Sequence, residues 1–338
     1  MARSKKSAAP KLLRLSHPLA FSAFLKKSGF PVNRLFRRQK LPVYYQDPNS
    51  FVPLRVAWSF FNDAARGFGT DLGWRVGQHV GEQNIHANLL HKIEGAPTLY
   101  EGLKRYAMLV GSEASHLRIG IHEQTDSILF FNHYPAMRDV RGYHQSQGYQ
   151  TEAYVSLIRH FLGPHWMPQL IGLERETLPL SIQERFPNTR FLTSQERGFI
   201  EVSRAELPTS IRDPITGGTA AKTKSKSIRA DRFGYMESLV SLLEAYMAEG
   251  YPSVQKAAWL MGTSSRTLAR RLEEQGLKYS SVVDEARFER ACGLLKDLHM
   301  PMSEISEHVG FRDPSHFARM FRRISGITPR KYRDLHTN

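Results

Sequence analysis

The sequence predicts two domains of different class. An α+β N-terminal domain precedes an all-α C-terminal domain, in which two helix-turn-helix units are joined by a linker helix. Three observations predict this. Apolar spacing changes from a helical to an alternating period after residue 110 and returns to helical by residue 152. Residues 207–230 hold two Pro, two Gly, three Lys and few large apolar side chains, too little to bury a core. Beyond them the periodic stretches are helical, and one pattern of cap, short helix, glycine, cap and second helix occurs twice.

A chain of 338 residues suits two such cores. The expected boundaries are a disordered basic tail at 1–15, a sensing or dimerising domain at 16–206, a linker at 207–230 and the helical domain at 231–336. The single cysteine, Cys292, excludes an intramolecular disulfide framework and a multi-cysteine zinc site. No apolar run approaches the roughly 20 residues that cross a bilayer, and Leu19–Leu25 is too short for a secretory signal. The expected location is the cytoplasm. The net charge of +15 is uneven: residues 1–40 carry +11, 41–220 carry −2 and 221–338 carry +6. Basic ends around a neutral middle favour a polyanionic partner.

In the N-terminal domain, Leu19–Ser28 and Pro31–Lys40 read as short helices. Val52–Phe68 repeats Val56, Phe60 and Ala64 on one stripe, and a further helix is expected from Asp71 to Val80. Thr98, with Glu101 three positions on, caps Leu99–Val110. His116–Ile121 and Ser127–Asn132 suit a hairpin turning at Gln124–Asp126. Glu152–Leu162 is helical and stops at Gly163. Leu170–Leu173, Thr189–Leu192 and Gly198–Val202 read as short strands. Trp58, Phe60, Phe61, Trp74 and Trp166 are expected in the core rather than around a ligand.

The C-terminal domain opens with a scaffold helix, Phe233–Met247, whose stripe is Leu239, Leu242, Leu243 and Tyr246. Ser253 caps Val254–Met261, Gly262 makes the turn, and Thr263–Ser265 caps Arg266–Gln275. That helix buries Leu268 and Leu272 and turns Arg266, Ala269, Arg270 and Glu273 outward. Val282–Leu298 is the linker helix. The second unit starts near Ser303, buries Ile305 and Val309, and turns at Gly310-Phe311. Asp313 then caps a helix with Pro314 at its first position. Phe317, Met320 and Phe321 face inward, while Ser315, His316, Ala318, Arg319, Arg322 and Arg323 face out.

Small and basic residues at the front of such a helix let it enter a major groove and place guanidinium groups against bases. The expected base-reading residues are Ser265, Arg266, Ala269 and Arg270 in one groove and Ser315, His316 and Arg319 in the next. Thr263, Arg271, Arg322, Arg323, Lys331 and Arg333 are the expected phosphate contacts. A linker helix of about 17 residues is roughly 25 Å long. With helix diameters added, the two recognition helices come near the roughly 34 Å of one B-DNA turn. That match favours duplex DNA over a membrane surface.

These residues resemble the AraC/XylS class of bacterial transcription regulators. The resemblance runs through Ser264–Arg270, Arg287 with Ala291 and Leu294–Leu295, Ile305 with Val309–Phe311, Ser315–Phe321 and Gly326–Arg333, about 100 residues in order and spacing. Ser306 stands where the family usually has alanine, a site where a hydroxyl fits. More weakly, Leu72–Gly77, Ala96–Leu103, Gly163–Pro168, Phe186-Pro187 and Arg190-Phe191 resemble the arabinose-binding-like effector domain of the subgroup that includes ornithine-utilisation regulators. The resemblance implies a promoter-binding regulator that contacts RNA polymerase, with a sensory or dimerising N-terminal domain. Its implied partners are double-stranded DNA, RNA polymerase, a small-molecule effector of unnamed class and a second copy of the chain.

Two other readings stand beside it. In one, the N-terminal domain only dimerises and senses nothing. In the other, the module is fused to an alkylation-repair enzyme, which needs cysteine-ligated zinc and a nucleophilic cysteine that Cys292, on the linker helix, does not supply. His133, His144, His160 and His165 lack metal-ligand spacing, and no P-loop, GxSxG or GxGxxG stands in a fitting context. No cofactor, metal or catalytic residue is expected.

Overall fold

The structure is a computed structural model, and it describes residues 9–43, 47–82, 93, 95–135, 139–210 and 234–335. In chain order the elements begin β1 (Leu12–Arg14), α1 (Ser16–Lys27), α2 (Val32–Arg38), β2 (Phe51–Pro53), α3 (Leu54–Phe68), α4 (Leu72–Glu82) and α5 (Leu99–Leu109). There follow β3 (Arg118–Glu123), β4 (Ser127–His133), α6 (Tyr143–Leu162), β5 (Leu170–Gly172), α7 (Leu180–Arg185), β6 (Arg190–Leu192) and β7 (Gly198–Ser203). The rest is helical: α8 (Tyr235–Ala245), α9 (Val254–Leu260), α10 (Ser265–Glu273), α11 (Tyr279–Leu294), α12 (Met302–His308), α13 (Pro314–Ser325) and α14 (Pro329–Leu335). The expected α+β first part and all-helical last part are both present.

Two compact units emerge, and they do not divide at one point of the chain. His17–Gln39 and Leu54–Arg232 form one; Met1–Ser16, Lys40–Pro53 and Phe233–Asn338 form the other. The expected linker at 207–230 and the expected start at Asp231 lie mostly outside the described residues.

In the first unit, a five-stranded sheet runs β3-β4-β7-β5-β6, antiparallel except for β5 beside β6. Alternation puts Ile128, Phe130, Ile171, Ile200 and Val202 on one face, where they join Leu99, Leu103, Tyr154, Ile158 and Phe161 in a single core. Trp58, Phe60, Phe61 and Trp74 are buried as expected, whereas Trp166 is only partly buried and its indole N–H donates to Glu206 at 2.7 Å. Thr98 accepts from the Glu101 amide at 3.3 Å, the cap that its spacing implies.

Helix α6 starts nine residues before the expected Glu152. Residues 143–151 are too polar to show an apolar stripe, yet Gln145, Ser146, Gln147 and Thr151 are buried. Backbone proximity explains this. A Cβ at Gly73 would lie 2.0 Å from the Gln145 carbonyl oxygen, and one at Gly77 would lie 2.6 Å from Glu152 Cβ. Helices α4 and α6 therefore pack backbone to backbone, and Gln145 spans the contact by accepting from the Gly73 amide at 2.7 Å.

In the second unit, β1 and β2 pair antiparallel, Leu13 opposite Val52. Residues 12–14 thus form a buried strand inside the stretch expected to be a tail; residues 1–8 lie outside the described residues. The following segment joins the scaffold helix region: the Tyr246 hydroxyl donates to the Lys40 carbonyl at 2.7 Å, the Val43 amide to the Glu249 carboxylate, and Lys40 sits 4.2 Å over the Trp259 ring. Pairings across some 200 residues leave no local trace in sequence.

Candidate nucleic-acid interface

Each helix-turn-helix turn is built the same way. Helix α9 ends on Gly262 at φ 70°, and α12 ends on Gly310 at φ 80°. Both are left-handed positions that favour glycine. In both turns the next amide reaches back five residues, Thr263 to the Ala258 carbonyl and Phe311 to the Ser306 carbonyl, each at 2.9 Å. These bonds satisfy the helix-end carbonyls. The buried Ser306 hydroxyl donates to the Phe311 carbonyl at 3.4 Å, so it has a partner in the turn itself.

The entry to each recognition helix is also capped by side chain. Ser253 accepts from the Lys256 amide at 3.2 Å at the head of α9, and Ser264 accepts from the Thr267 amide at 3.2 Å at the head of α10. Asp313 accepts from the Ser315 amide at 2.8 Å, with Pro314 in the first turn of α13. Hydrogen bonds from the Ser315 amide first and the Ser315 side chain next hold the Asp313 carboxyl below its ordinary range. The expected cap at Ser303 is not used. Helix α12 starts one residue earlier, at Met302, with extended Pro301 before it, so Ser303 falls within the first turn.

One face of α10 is buried through Leu268 and Leu272, and one face of α13 through Phe317, Met320 and Phe321. The opposite faces carry the expected readers. Arg266, Ala269 and Arg270 are exposed on α10 and Ser265 is half-buried, while Ser315, His316 and Arg319 are exposed on α13. Two of these side chains rest on carboxylates of their own helix ends: Arg270 on Glu274 at 2.7 Å, and His316 near Asp313 at 3.7 Å. Both pairs are exposed and exchangeable for water or a polyanion.

The expected phosphate contacts fall into two groups. Arg322 and Lys331 are exposed and Thr263 half-buried, with none of them in an ion pair among the described residues. Three arginines are engaged within the domain. Arg271 lies 4.3 Å over the Tyr235 ring, Arg323 donates to Asp284 on the linker helix, and Arg333 donates to the Met300 carbonyl at 2.7 Å. A helical pattern identifies an outward face but not the partner waiting on a neighbouring helix.

The linker helix α11 runs Tyr279–Leu294, beginning three residues before and ending four residues before the expected bounds. Its 16 residues span about 24 Å. Arg287 on this helix carries its guanidinium 4.5 Å from the Tyr251 ring and 4.4 Å from the Phe311 ring. Tyr251 precedes the first helix-turn-helix and Phe311 belongs to the turn of the second, so one guanidinium bridges both within the helical domain. Sequence reasoning identified Arg287 only as part of a pattern. Cys292 is half-buried on α11, and burial raises its thiol pKa.

Residues 258–334 match the family model described as a helix-turn-helix domain. The HTH-type transcriptional regulator VqsM of Pseudomonas aeruginosa is 32% identical over 101 residues, 30% of this chain and 31% of that protein. The ornithine utilization regulator of the same organism is 37% identical over 84 residues, 25% of each chain. The matches thus span about a quarter to a third of the length of these curated relatives. The crystal structure of the transcriptional regulator CdpR from Pseudomonas aeruginosa aligns with 90% of this chain and 96% of its own, at 21% identity and a TM-score of 0.38.

Proposed function

We propose that this chain, whose residues 258–334 are an AraC-type helix-turn-helix domain, is a sequence-specific transcription regulator that reads two successive major grooves. One observation carries the reading. Two capped basic helices, α10 and α13, each bury one face and expose short or basic residues on the other, with the linker helix α11 between them in the chain and α13 packed on it through Arg323–Asp284 and Phe321–Phe288. Arg266, Ala269 and Arg270 read one groove; Ser315, His316 and Arg319 read the next. Arg322 and Lys331 hold phosphates, and Thr263 adds a backbone contact at the helix entry. Arg271, Arg323 and Arg333 contribute positive potential while fixing the domain.

The unit built from Leu54–Arg232 and His17–Gln39 receives the signal, a small-molecule effector, and a second copy of the chain and RNA polymerase complete the assembly at a promoter. Such a protein works where the chromosome lies, in the cytoplasm. Genome-wide mapping of bound DNA tests the reading. The expected result is a recurrent site with two specified segments about 10 base pairs apart. Binding without a recurrent sequence would reject it.

A further inference from the structure

Part of the first unit's sheet carries positive charge that the fold leaves unmatched. In the β3–β4 register, Arg118 stands opposite His133 and Gly120 opposite Phe131. Register partners share a face, so these four residues project away from the core that contains Ile128 and Phe130. Gly120 lets the Phe131 ring lie low over the sheet: a Cβ there would meet the ring at 2.9 Å. Arg197, next to the strand partner of Asn132, sets its guanidinium 5.0 Å from the centre of that ring.

A cavity of about 430 Å³ opens here at the edge strand β3, lined by Arg118, Phe131, His133 and Arg197 from the outward side and by Leu117 and Ile119, which alternate onto the core side of that strand. Its size falls within the usual range for small-ligand sites. Arg118 and Arg197 are exposed, and neither has a carboxylate partner among the described residues. The nearby buried carboxylate, Glu174, accepts from the Tyr143 hydroxyl and stands 3.6 Å from Nδ1 of the lining His133, so it meets that histidine and neither guanidinium. An aromatic and aliphatic wall with two unmatched guanidinium forks is complementary to an anion with an apolar body, because the fork matches a carboxylate in two-point geometry.

We infer that this cavity binds a monocarboxylate with a small aromatic or branched aliphatic body, and that this ligand is the effector. The second clause rests on the regulator reading; the binding itself does not. Isothermal titration calorimetry of the full chain with benzoate, phenylacetate and isovalerate, against benzamide and inorganic phosphate, tests it. At least one acid should bind saturably. The neutral amide and phosphate should bind about tenfold more weakly or worse, and Arg118→Gln and Arg197→Gln should each weaken the acid about tenfold, as expected for loss of a charge-assisted contact. DNA affinity of both variants without ligand should equal that of the parent.

No binding by any of the acids, equal binding of acid and amide, equal binding of phosphate, or full affinity in both variants would overturn the inference. Should a variant fail to fold, the comparison of acid with amide on the parent chain decides alone. Acid binding in a chain with no promoter affinity would reject the regulator reading and leave the cavity assignment standing.

Discussion

The guanidinium of Arg323, on the second recognition helix, donates to the carboxylate of Asp284 on the linker helix, 39 residues earlier in the chain. Asp284 also receives Arg287 from its own helix at 3.4 Å. This pair ties α13 to the helix that lies between α10 and α13 in the chain. Arg323→Ala and Asp284→Asn should therefore couple in a double-mutant cycle of urea unfolding, by about 0.2–1 kcal/mol given the exposure of the arginine. A coupling of zero would reduce the pair to a passing contact.

Arg287 stacks between Tyr251 and Phe311, and desolvated cation–π contacts are worth about 0.5–2 kcal/mol each. Arg287→Ala should lower unfolding stability by about 1–3 kcal/mol, and Arg287→Lys should restore little, because an ammonium lacks the planar guanidinium. Chemical denaturation of the three proteins checks this. Full rescue by lysine would contradict the stacking account.

Gly293 lies in the last turn of α11, and nothing stands within 4 Å of the Cβ it lacks. Gly293→Ala should raise stability by about 0.5–1 kcal/mol through helix propensity alone. The reverse holds at Gly73, where the missing Cβ would fall 2.0 Å from the Gln145 carbonyl oxygen. Gly73→Ala should cost about 1–3 kcal/mol by overpacking. Thermal melts of the two variants should therefore move in opposite directions.

Burial, reinforced by the Glu289 carboxylate and partly offset by Arg290, pushes the Glu244 carboxyl up to about 7. Its folded value lies above its unfolded one, so the folded state binds the proton more tightly. The associated stability is present below about pH 4.5 and is lost as pH rises through about 7. Glu244→Gln should raise the melting temperature more at pH 8 than at pH 5. An equal shift at both would contradict the assignment.

The helical domain was legible because its signals are local. Ser253, Ser264 and Asp313 cap as their spacing implies, and Leu268, Leu272, Phe317 and Phe321 fall on the buried stripes that a 3.6 period predicts. What escaped was non-local. Strands Leu12–Arg14 and Phe51–Pro53 have three residues each and exist only through their pairing. The first half of α6 is held by glycine-mediated backbone contact, which leaves no apolar periodicity. The candidate site divides on the same line: the outward residues of α10 and α13 could be read from helical phase. The engagement of Arg271 by Tyr235, Arg323 by Asp284 and Arg333 by Met300 could not, because each partner lies on another element.

Base reading by two helices at once is the property most directly open to measurement. Gel-shift titration of a mapped site and of its single-base variants, with the parent, Arg270→Ala, Arg319→Ala and Arg322→Ala, measures it. Arg270→Ala and Arg319→Ala should each cost about 1–3 kcal/mol and relax discrimination in one segment only, the two segments lying about one helical turn apart. Arg322→Ala should weaken all sequences alike. Full affinity in Arg270→Ala and Arg319→Ala, or relaxed discrimination in the same segment for both, would contradict two-groove reading.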